Sequence, residues 1–461
     1  MQSNHHKIKK GLDILIPGTA TKTVTELSSE GDYAVRPPDY VGVTPRLLVS
    51  EGDTVDAGTP LFEDKNNEGI PFVSPVSGTV KAIVRGEKRA LLAVVIARSN
   101  EQRNVESAVV DVDASSLRQR LITSGLWTRL RQRPFGIVPS KDSQPKAVFV
   151  TTFDSSPLPV DIEFILQDRK EDFQRGIDVL HAITDHVYLS LKKKDCSSFL
   201  AETANAEIHY FEGPHPAGLP GTHIACISPI NKGETVWTVE AQDVAIIGHL
   251  FRTGEYLPKR TIAICGPCVD QPQYLRVIEG AQVNKITDGH LVTEKSQTGH
   301  LRIICGDVLN GTAVTNDDYL CAGCDKVCVI PEGDYYDFMG WLRPNFKKYS
   351  FSRTFLSGIM GLMDSSKKHN PKIHNYDFDT GRHGSHRPLF VTGEFEKLVP
   401  LDIYPMQLVK ACIVGDIELM ENLGIYEVEP EDLALCEFAD TSKTEIQAII
   451  REGLEKIRKE G

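Results

Sequence analysis

The sequence predicts a multidomain protein of the α/β plus β class, and three observations support this. First, 461 residues exceed a typical single core, because domains usually contain about 100 to 200 residues. Second, residues 11–97 consist of short β-type runs separated by turn residues. Third, from residue 123 onwards strand-like apolar runs alternate with segments of helical spacing. We therefore expect an N-terminal β unit followed by α/β units.

Residues 1–112 are predicted to form a barrel-sandwich unit. Residues 51–61 and 72–80 resemble the two halves of the flattened barrel of biotinyl and lipoyl carrier domains. In those carriers the modified lysine lies on the hairpin between the halves, and Lys65 lies in the corresponding hairpin here. Because this hairpin is longer than in the carriers, we interpret the unit as a structural barrel. A lipoyl-type carrier that uses Lys65 is the alternative.

Residues 113–256 are predicted to form a Rossmann-like layered domain. Short apolar runs predict buried parallel strands at residues 147–152, 187–191 and 207–211. Helical spacing predicts a helix at residues 171–184 and another at residues 124–135, the latter ending at Pro134. No Gly-x-Gly-x-x-Gly follows any of these strands, so the tight turn that brings a helix N-terminus to a pyrophosphate is missing. The sequence therefore argues against dinucleotide binding in this domain.

A loop rich in proline and glycine is predicted at residues 211–223, after the last of these strands. Three prolines and three glycines in thirteen residues exclude a helix interior or a central strand, because proline lacks the backbone N–H and fixes φ. The carboxyl end of a strand is also where open α/β sheets bind their ligands. The loop is therefore either a rigid connector or a preformed wall of a binding or docking site.

Residues 257–332 are predicted to form a small α+β unit. Its predicted elements are a helical piece at residues 273–279 and strands at residues 260–265, 301–305 and 326–330. Residues 306–312 have the glycine spacing of a phosphate-binding loop but carry Thr312 where that loop requires lysine. We therefore interpret this segment as the turn between two strands.

Residues 333–461 are predicted to comprise a linker and a helical domain. Residues 364–386 are polar and rich in histidine, which is typical of a solvated linker, and zinc binding by His383 and His386 is the weaker alternative. Ser442 and Glu445 have the spacing of a capping box. The helix that follows has one apolar face, which we expect to pack against the chain itself, formed by Ile446, Ile449, Ile450, Leu454 and Ile457.

Charge and hydropathy argue against several classes of function. The chain has 51 basic and 63 acidic residues, and this net charge of −12 argues against general nucleic-acid binding through phosphate neutralisation. No stretch approaches the ~20 apolar residues that a membrane-spanning helix needs. The N-terminus also lacks the apolar segment of a secretory signal. We therefore expect a soluble or peripheral protein whose cysteines are reduced thiols or ligands.

The cysteines suggest redox or metal chemistry. Cys321, Cys324 and Cys328 have two of the short spacings found in iron–sulfur sites, and Cys265 and Cys268 form another close pair. The full ferredoxin pattern is absent, so a four-thiolate site would require the two loops to meet in space. The alternatives are a bound metal or cluster, a redox-active dithiol, or ordinary buried thiols.

Several segments spread along the chain carry a family resemblance. They are residues 8–13, 61–65, 74–78, 124–128, 133–135, 213–219, 351–356, 399–402 and 431–436. In this order they resemble the A subunits of the bacterial Na⁺-translocating NADH:quinone reductase, and the resemblance extends over nearly the whole chain. It is more specific than any single motif.

The resemblance implies a peripheral subunit on the cytoplasmic side of the bacterial inner membrane, within a six-subunit complex. That complex oxidises NADH, reduces ubiquinone or menaquinone and exports Na⁺. NADH and FAD are expected on another subunit, so this chain would have no flavin, no covalently bound cofactor and no catalysis of its own. Its partners would be the other subunits and quinone, and it would reach the membrane only through those subunits. The implied fold adds a β-grasp (SLBB-like) domain at residues 257–332.

The resemblance also implies an association with quinone, because the same family is associated with quinone binding. An aromatic-lined cleft suits a flat quinone head group, and Arg or His can donate hydrogen bonds to its carbonyls. The candidates for a quinone or docking wall are Trp127, Arg133, Phe135, Pro214, His215, Pro216 and Gly218. The Cys321, Cys324 and Cys328 group departs from the family pattern, and an iron–sulfur or other electron-transfer subunit is therefore the alternative function.

Overall fold

A computed structural model describes residues 4–105, 114–193, 198–340, 348–349, 351, 376–389 and 391–461. The N-terminal part is built from two small antiparallel sheets. One sheet has the strand order Asp32–Val35, Leu91–Arg98, Gly78–Arg85 and Thr54–Val55. The other has the order Pro45–Leu47, Pro60–Asp64 and Pro71–Val73. Phe62 and Phe72 stack in the shared core with ring centroids 4.6 Å apart.

Lys65 lies in the turn between two of these strands, as the hairpin prediction required. The flanking strands are Pro60–Asp64 and Pro71–Val73, and the Lys65 side chain is exposed. The Lys65 backbone N–H donates to the Thr44 carbonyl, which fixes the start of the turn. The structure therefore places Lys65 on the surface of a compact β unit.

The next part of the chain forms a six-stranded sheet. Its strand order is His5–Lys7, Glu207–Glu212, Val187–Lys192, Val148–Thr151, Val236–Glu240 and Arg131–Arg133. The first five strands are parallel to their neighbours, and the last one is antiparallel. The helices of this part are Ala114–Thr123, Ile162–Ile165, Lys170–His181, Pro220–Ile227 and Ala241–Thr253. The predicted strands and the helix predicted at residues 171–184 are confirmed here.

The helix predicted at residues 124–135 was wrong. The helix Ala114–Thr123 ends before Gly125, whose φ of +76° is left-handed and breaks the helical path. A short 3₁₀ turn follows at Leu126–Arg129, and the chain then extends as the edge strand Arg131–Arg133 beside Val236–Glu240. Arginine spacing alone did not reveal the strand, because its side chains are polar on both faces.

The loop predicted at residues 211–223 is shorter in the structure. The strand Glu207–Glu212 includes Phe211, and the helix Pro220–Ile227 begins at the last proline. Proline is favoured at the first helical position, where its missing N–H has no partner to lose. The connecting loop therefore comprises residues 213–219.

A second six-stranded sheet forms the third part. Its strand order is Thr312–Val314, Leu301–Cys305, Lys326–Pro331, Lys259–Cys265, Gln273–Ile278 and Val24–Glu26. The predicted helix at residues 273–279 was wrong, because Gln273–Ile278 is a strand. Tyr274 packs into one core cluster while Leu275 and Val277 pack into another, which is the alternation of a strand. The short helix lies later, at Val283–Thr287.

The described C-terminal residues contain the helices Pro405–Val414, Ile417–Asn422, Ala434–Ala439 and Ile446–Glu460. The final helix buries Ile446, Ile450, Leu454 and Ile457 against the same chain, as predicted. The predicted capping box was wrong, because Ser442 Oγ donates to the Pro388 carbonyl instead. A capping box forms earlier, between Glu429 and Asp432.

The predicted linker at residues 364–386 lies outside the described residues up to residue 375. Most of the family-like segment at residues 351–356 also lies outside them. Among the residues that the structure describes, none belongs to a helix with the length and apolar character needed to cross a membrane.

Candidate functional site

A cavity of about 630 Å³ lies at the carboxyl ends of the strands Val148–Thr151 and Val236–Glu240. We call it the central cavity. Its wall is contributed by all four parts of the described chain, through residues that include Arg36, Arg131, Thr151, Glu240, Cys321 and Glu431. This is the position in which open α/β sheets bind ligands.

Two of the predicted site residues, Arg133 and Gly218, line the central cavity. Arg133 is 4% exposed and donates through Nη1 to Asp432 Oδ2 at 2.8 Å, and through Nη2 to Glu431. Gly218 donates its backbone N–H to Ser155 Oγ at 2.8 Å. Arg133 therefore contributes a charge that is already paired, and Gly218 contributes backbone.

The predicted aromatic residues lie away from the cavity wall. Trp127 is fully buried, packs edge-on against Trp237 with centroids 5.2 Å apart, and donates from Nε1 to the Pro139 carbonyl at 2.8 Å. Phe135 is half-buried and packs edge-on against Tyr426. Both side chains therefore serve packing in this structure.

The loop at residues 213–219 is held from both sides. His215 is 3% exposed, its Nδ1 is 3.0 Å from Ser155 Oγ, and its backbone N–H donates to Asp13 Oδ1 at 3.0 Å. Pro216 is also buried and Pro214 is half-buried. Burial lowers the pKa of His215, so the ring is neutral at neutral pH. The loop is a junction between the N-terminal segment and the sheet, and it reaches the cavity only through its end.

The cavity wall also contains charged residues that sequence reasoning missed. Lys326 is 5% exposed and its Nζ donates to Asp154 and to Ser156 Oγ, the latter at 2.6 Å. Arg129 binds Asp243 and Glu279 with distances of 2.5 Å in each pair. The sequence signal that could have indicated a charged wall was the alternation of arginines at positions 129, 131 and 133, which places three positive charges close together along the chain.

A buried charge network joins the sheet to the third part of the chain beneath the cavity. The Arg260 side chain has no exposed surface and contacts four carboxylates. Its partners, with N–O distances from 2.5 to 3.3 Å, are Glu240, Asp243, Glu279 and Asp325. Four carboxylates around Arg260 and Arg129 leave an excess of negative charge, which favours proton uptake by one of them.

Two carboxyls of the wall have raised pKa values. Burial raises the pKa of Glu240 to about 8, and the nearby Asp325 adds to this shift while Arg260 opposes it. Burial raises the pKa of Glu431 to about 7, with Arg133 opposing and Asp432 adding to the shift. Perturbed carboxyls in a cleft are a common property of functional sites, although structural ion pairs produce them as well.

The predicted iron–sulfur cysteines do not come together. Cys328 Sγ lies 3.4 Å from Cys265 Sγ on the neighbouring strand, within the core. Cys321 and Cys324 instead line the central cavity with Cys305. Within the described residues, no group of three or more Cys, His, Asp or Glu side chains is arranged to hold a metal ion. The geometry therefore gives no support to the iron–sulfur alternative.

Models of three domains match the chain in order. The NqrA N-terminal barrel-sandwich hybrid domain matches residues 6–99, the NqrA second alpha/beta domain matches residues 112–256, and the NQRA C-terminal domain matches residues 261–316. The A subunit of the Na(+)-translocating NADH-quinone reductase of Neisseria meningitidis serogroup B is 40% identical, over 99% of this chain and 100% of the relative. The chain belongs to the NqrA family.

Further relatives of the same name agree with this assignment. The A subunit of Haemophilus influenzae is 38% identical over 98% of this chain and 99% of its own length. That of Actinobacillus succinogenes is 39% identical over the same shares. An NAD+-reducing [NiFe]-hydrogenase chain is 11% identical, with a TM-score of 0.36 over 75% of this chain and 61% of that chain. The domain models and the NqrA relatives confirm the predicted family and the barrel-sandwich, α/β and SLBB units.

Four of the family-like segments of this NqrA chain meet in the fold. The backbone N–H of Leu12 donates to the His215 carbonyl at 2.8 Å, which joins the segment at residues 8–13 to the loop at residues 213–219. Arg133 joins the segment at residues 133–135 to the segment at residues 431–436. Four segments that are far apart in the sequence therefore meet in two pairs, and Arg133 of the second pair lines the central cavity.

Proposed function

We propose that this chain is the peripheral A subunit of a complex that couples NADH oxidation and reduction of ubiquinone or menaquinone to Na⁺ export. The single observation that carries the proposal is the 40% identity to an NqrA relative along 99% of the chain. We place the chain on the cytoplasmic side of the bacterial inner membrane, in contact with the other subunits of the complex.

The test of this role uses membranes from a strain that lacks this chain. We expect NADH-driven quinone reduction and Na⁺ uptake into inverted vesicles to be lost together and to return when the chain is restored. NADH oxidation by an artificial electron acceptor should survive wherever the NADH-oxidising subunit remains assembled. Persistence of quinone reduction and Na⁺ uptake without the chain would contradict the proposal.

We propose that the chain holds neither NADH nor FAD and that another subunit binds both. The α/β part is best described as Rossmann-like, with parallel strands and helices between them, but no glycine fingerprint follows its strands. The side chains of Arg133 and Asp432 also pair at the edge of the sheet, close to Gly221 in the first turn of a helix. We expect the separated chain to show no flavin fluorescence, whereas the assembled complex should contain FAD. Flavin that co-purifies with the separated chain would refute this part.

We propose further that the chain is quinone-associated, with the central cavity as the contact region. Of the original candidates, Arg133 and Gly218 support this role by their position on the wall, while Trp127, Phe135, Pro214, His215 and Pro216 are not among the residues that line it. A photoreactive quinone added to the assembled complex should label peptides that line the cavity. Labelling confined to other subunits would exclude a direct contact.

A further inference from the structure

Six of the ten cysteines of the chain lie in the third part, between residues 265 and 328. Five of these six, all except Cys268, form two separate groups of thiols. Cys265 and Cys328 are in mutual contact inside the core. Cys305, Cys321 and Cys324 form a second group on the wall of the central cavity, which we call the cavity thiols.

The cavity thiols are packed together. Cys305 and Cys324 are buried in one hydrophobic cluster, and Cys321 is in contact with that cluster. Cys305 ends the strand Leu301–Cys305, whereas the other two lie in the loop before the strand Lys326–Pro331. The contact therefore joins the end of one strand to the loop that precedes the next strand.

Exposure distinguishes the three thiols. Cys305 is 4% exposed and Cys324 is 6% exposed, whereas Cys321 is half-buried and is the most accessible of the group. The Cys324 thiol is also occupied, because it donates to the Lys326 carbonyl at 2.9 Å. A reagent that enters the cavity therefore meets Cys321 first, and Cys305 is the thiol best placed to react with it next.

The N-terminal part of the chain positions Cys321. Arg36 Nη1 donates to the Tyr319 carbonyl at 2.8 Å and to Cys321 Sγ at 3.5 Å. The Ala322 backbone N–H donates to Asp39 Oδ2 at 2.9 Å. The guanidinium favours the thiolate form of Cys321 and the Asp39 carboxylate opposes it.

We propose that Cys321 and Cys305 form a hydroperoxide-sensitive dithiol on the wall of the central cavity. The Cys321 thiolate attacks one oxygen of the hydroperoxide, the O–O bond breaks, and Cys321 becomes a sulfenic acid, while the leaving hydroxide or alkoxide takes up the proton that the Cys321 thiol released and departs as water or an alcohol. The Cys305 thiolate then attacks the Cys321 sulfur, the S–S bond forms, the S–OH bond breaks, and the leaving hydroxide takes up the proton that the Cys305 thiol released and departs as water. Two thiols are thereby oxidised and one hydroperoxide is reduced.

The reaction is expected to accelerate as the pH rises. The neighbouring Cys305 thiol and burial raise the pKa of Cys321, and the pKa of Cys305 is raised as well. Only the thiolate reacts, so its fraction limits the rate at neutral pH. The charged groups that face Cys321 are Arg36 and Asp39, with Cys305 as the titratable neighbour.

The core pair provides an internal control for accessibility. The sulfur atoms of Cys265 and Cys328 are 3.4 Å apart, so they are close enough to react, but these residues are 1% and 0% exposed and do not line the cavity. If proximity of two sulfur atoms were sufficient, the hydroperoxide would oxidise this pair. If the hydroperoxide must enter through the cavity, it oxidises the cavity thiols instead. The two pairs therefore separate the proposed mechanism from unspecific oxidation.

The test treats the full chain with hydrogen peroxide at mildly alkaline pH, blocks free thiols with a maleimide and maps the unreduced peptides by mass spectrometry. We expect a linked peptide that contains Cys305 and Cys321 and has lost two hydrogen atoms, while Cys265 and Cys328 remain alkylated. Retention of all thiols, or linkage of Cys265 to Cys328 or of Cys321 to Cys324 in its place, would overturn the proposal.

Variants assign the order of the two steps. Cys324→Ser should retain the link between Cys305 and Cys321. Cys305→Ser should leave a sulfenic acid on Cys321 that dimedone traps, and Cys321→Ser should abolish both products. If Cys305→Ser does not fold, the peptide map of the unmodified chain still decides the proposal. Trapping of the sulfenic acid on Cys305 or Cys324 in the unmodified chain would reject Cys321 as the first site.

Discussion

Arg133 and Asp432 form a buried ion pair, with Nη1 2.8 Å from Oδ2, although 299 positions separate them in the sequence. Their side chains are 5% and 1% exposed. Asp432 Oδ2 also accepts the Glu429 backbone N–H at 2.9 Å, so one carboxylate fixes both the arginine and the start of a helical turn. This pair joins the edge of the α/β sheet to the C-terminal part of the chain.

Arg133→Met is predicted to destabilise the chain strongly. Removing one partner leaves Asp432 buried without its counter-charge, which typically costs about 3–5 kcal/mol. The measurement is the free energy of unfolding in urea, taken from the first transition. A matched control is Glu101→Gln, which removes an ion pair whose side chains are 72% and 82% exposed. That control should cost less than about 1 kcal/mol.

A double variant separates the lost charge pair from lost packing. Arg133→Met combined with Asp432→Leu removes both charges. We expect the double variant to recover part of the free energy of unfolding that Arg133→Met loses, because no unpaired buried charge remains. An Arg133→Met protein as stable as the unmodified chain would show that water compensates Asp432 and would contradict the prediction.

His223 is predicted to make stability decline in acid. The side chain has no exposed surface, its Nε2 is 2.9 Å from the Ala217 carbonyl, and burial lowers its pKa to about 3. In the unfolded chain the pKa is about 6.5, so below that pH the unfolded state binds a proton that the folded state rejects. The contribution of His223 to the free energy of unfolding is complete above about pH 6.5. It is lost as the pH falls towards about 3, by about 1.4 kcal/mol per pH unit.

The measurement is the free energy of unfolding at several pH values in this window. His223→Gln should lower stability at neutral pH but flatten its decline in acid, because the group that binds the proton is gone. The exposed His186 provides the control, and His186→Gln should leave the decline unchanged. Parallel curves for the unmodified chain and His223→Gln would contradict the prediction.

The helices Lys170–His181 and Ala241–Thr253 pack so closely that Gly248 admits no side chain. A Cβ atom at this position would lie 1.7 Å from the Asp172 carbonyl oxygen. We expect Gly248→Ala to lower the free energy of unfolding by about 3 kcal/mol or to prevent folding, because the clashing atom belongs to the backbone of the helix Lys170–His181, which cannot shift easily. Gly384→Ala is the control, since its nearest neighbour would be Lys443 Cε at 3.8 Å. Equal thermal stability of the two variants would contradict this packing.

Local patterns predicted most strands, because each depends on a few neighbouring residues. The run at residues 147–152 was read correctly, since a buried parallel strand is apolar on both faces. The strand Gln273–Ile278 was misread because its buried residues divide between two cores, and its apolar pattern therefore lacks one clear face.

The central cavity could not be predicted in this way. Its wall combines Arg36, Arg133, Cys305 and Glu431, which lie in four different parts of the chain. Spacing along a sequence does not determine which distant loops come into contact. The ion pairs between buried charges depend on these contacts and could not be predicted either. The proline-rich loop was correctly placed at the carboxyl end of a strand. The partners of His215 were not predictable, because its ring contacts Ser155 and its backbone N–H donates to Asp13, and both residues are distant in the sequence.

The central cavity provides the last prediction, which concerns the proposed quinone contact. Thr312 lines the cavity from an exposed position at the start of the strand Thr312–Val314, and successive side chains of a strand face opposite sides. Thr312→Trp should therefore fill part of the cavity, while the neighbouring Ala313→Trp adds the same bulk outside its wall. Within the assembled complex, we expect Thr312→Trp to reduce photolabelling of this chain by quinone about tenfold, which corresponds to a loss of about 1.4 kcal/mol in binding.

Ala313→Trp should label like the unmodified chain, and NADH oxidation by an artificial acceptor should remain unchanged in both variants because we propose that another subunit carries out that step. This control distinguishes a blocked contact from a complex that fails to assemble. Undiminished labelling in Thr312→Trp would place the quinone outside the central cavity, and equal losses in the two variants would indicate that bulk on this strand disturbs the domain. Only a loss confined to Thr312→Trp agrees with a quinone that binds in the central cavity.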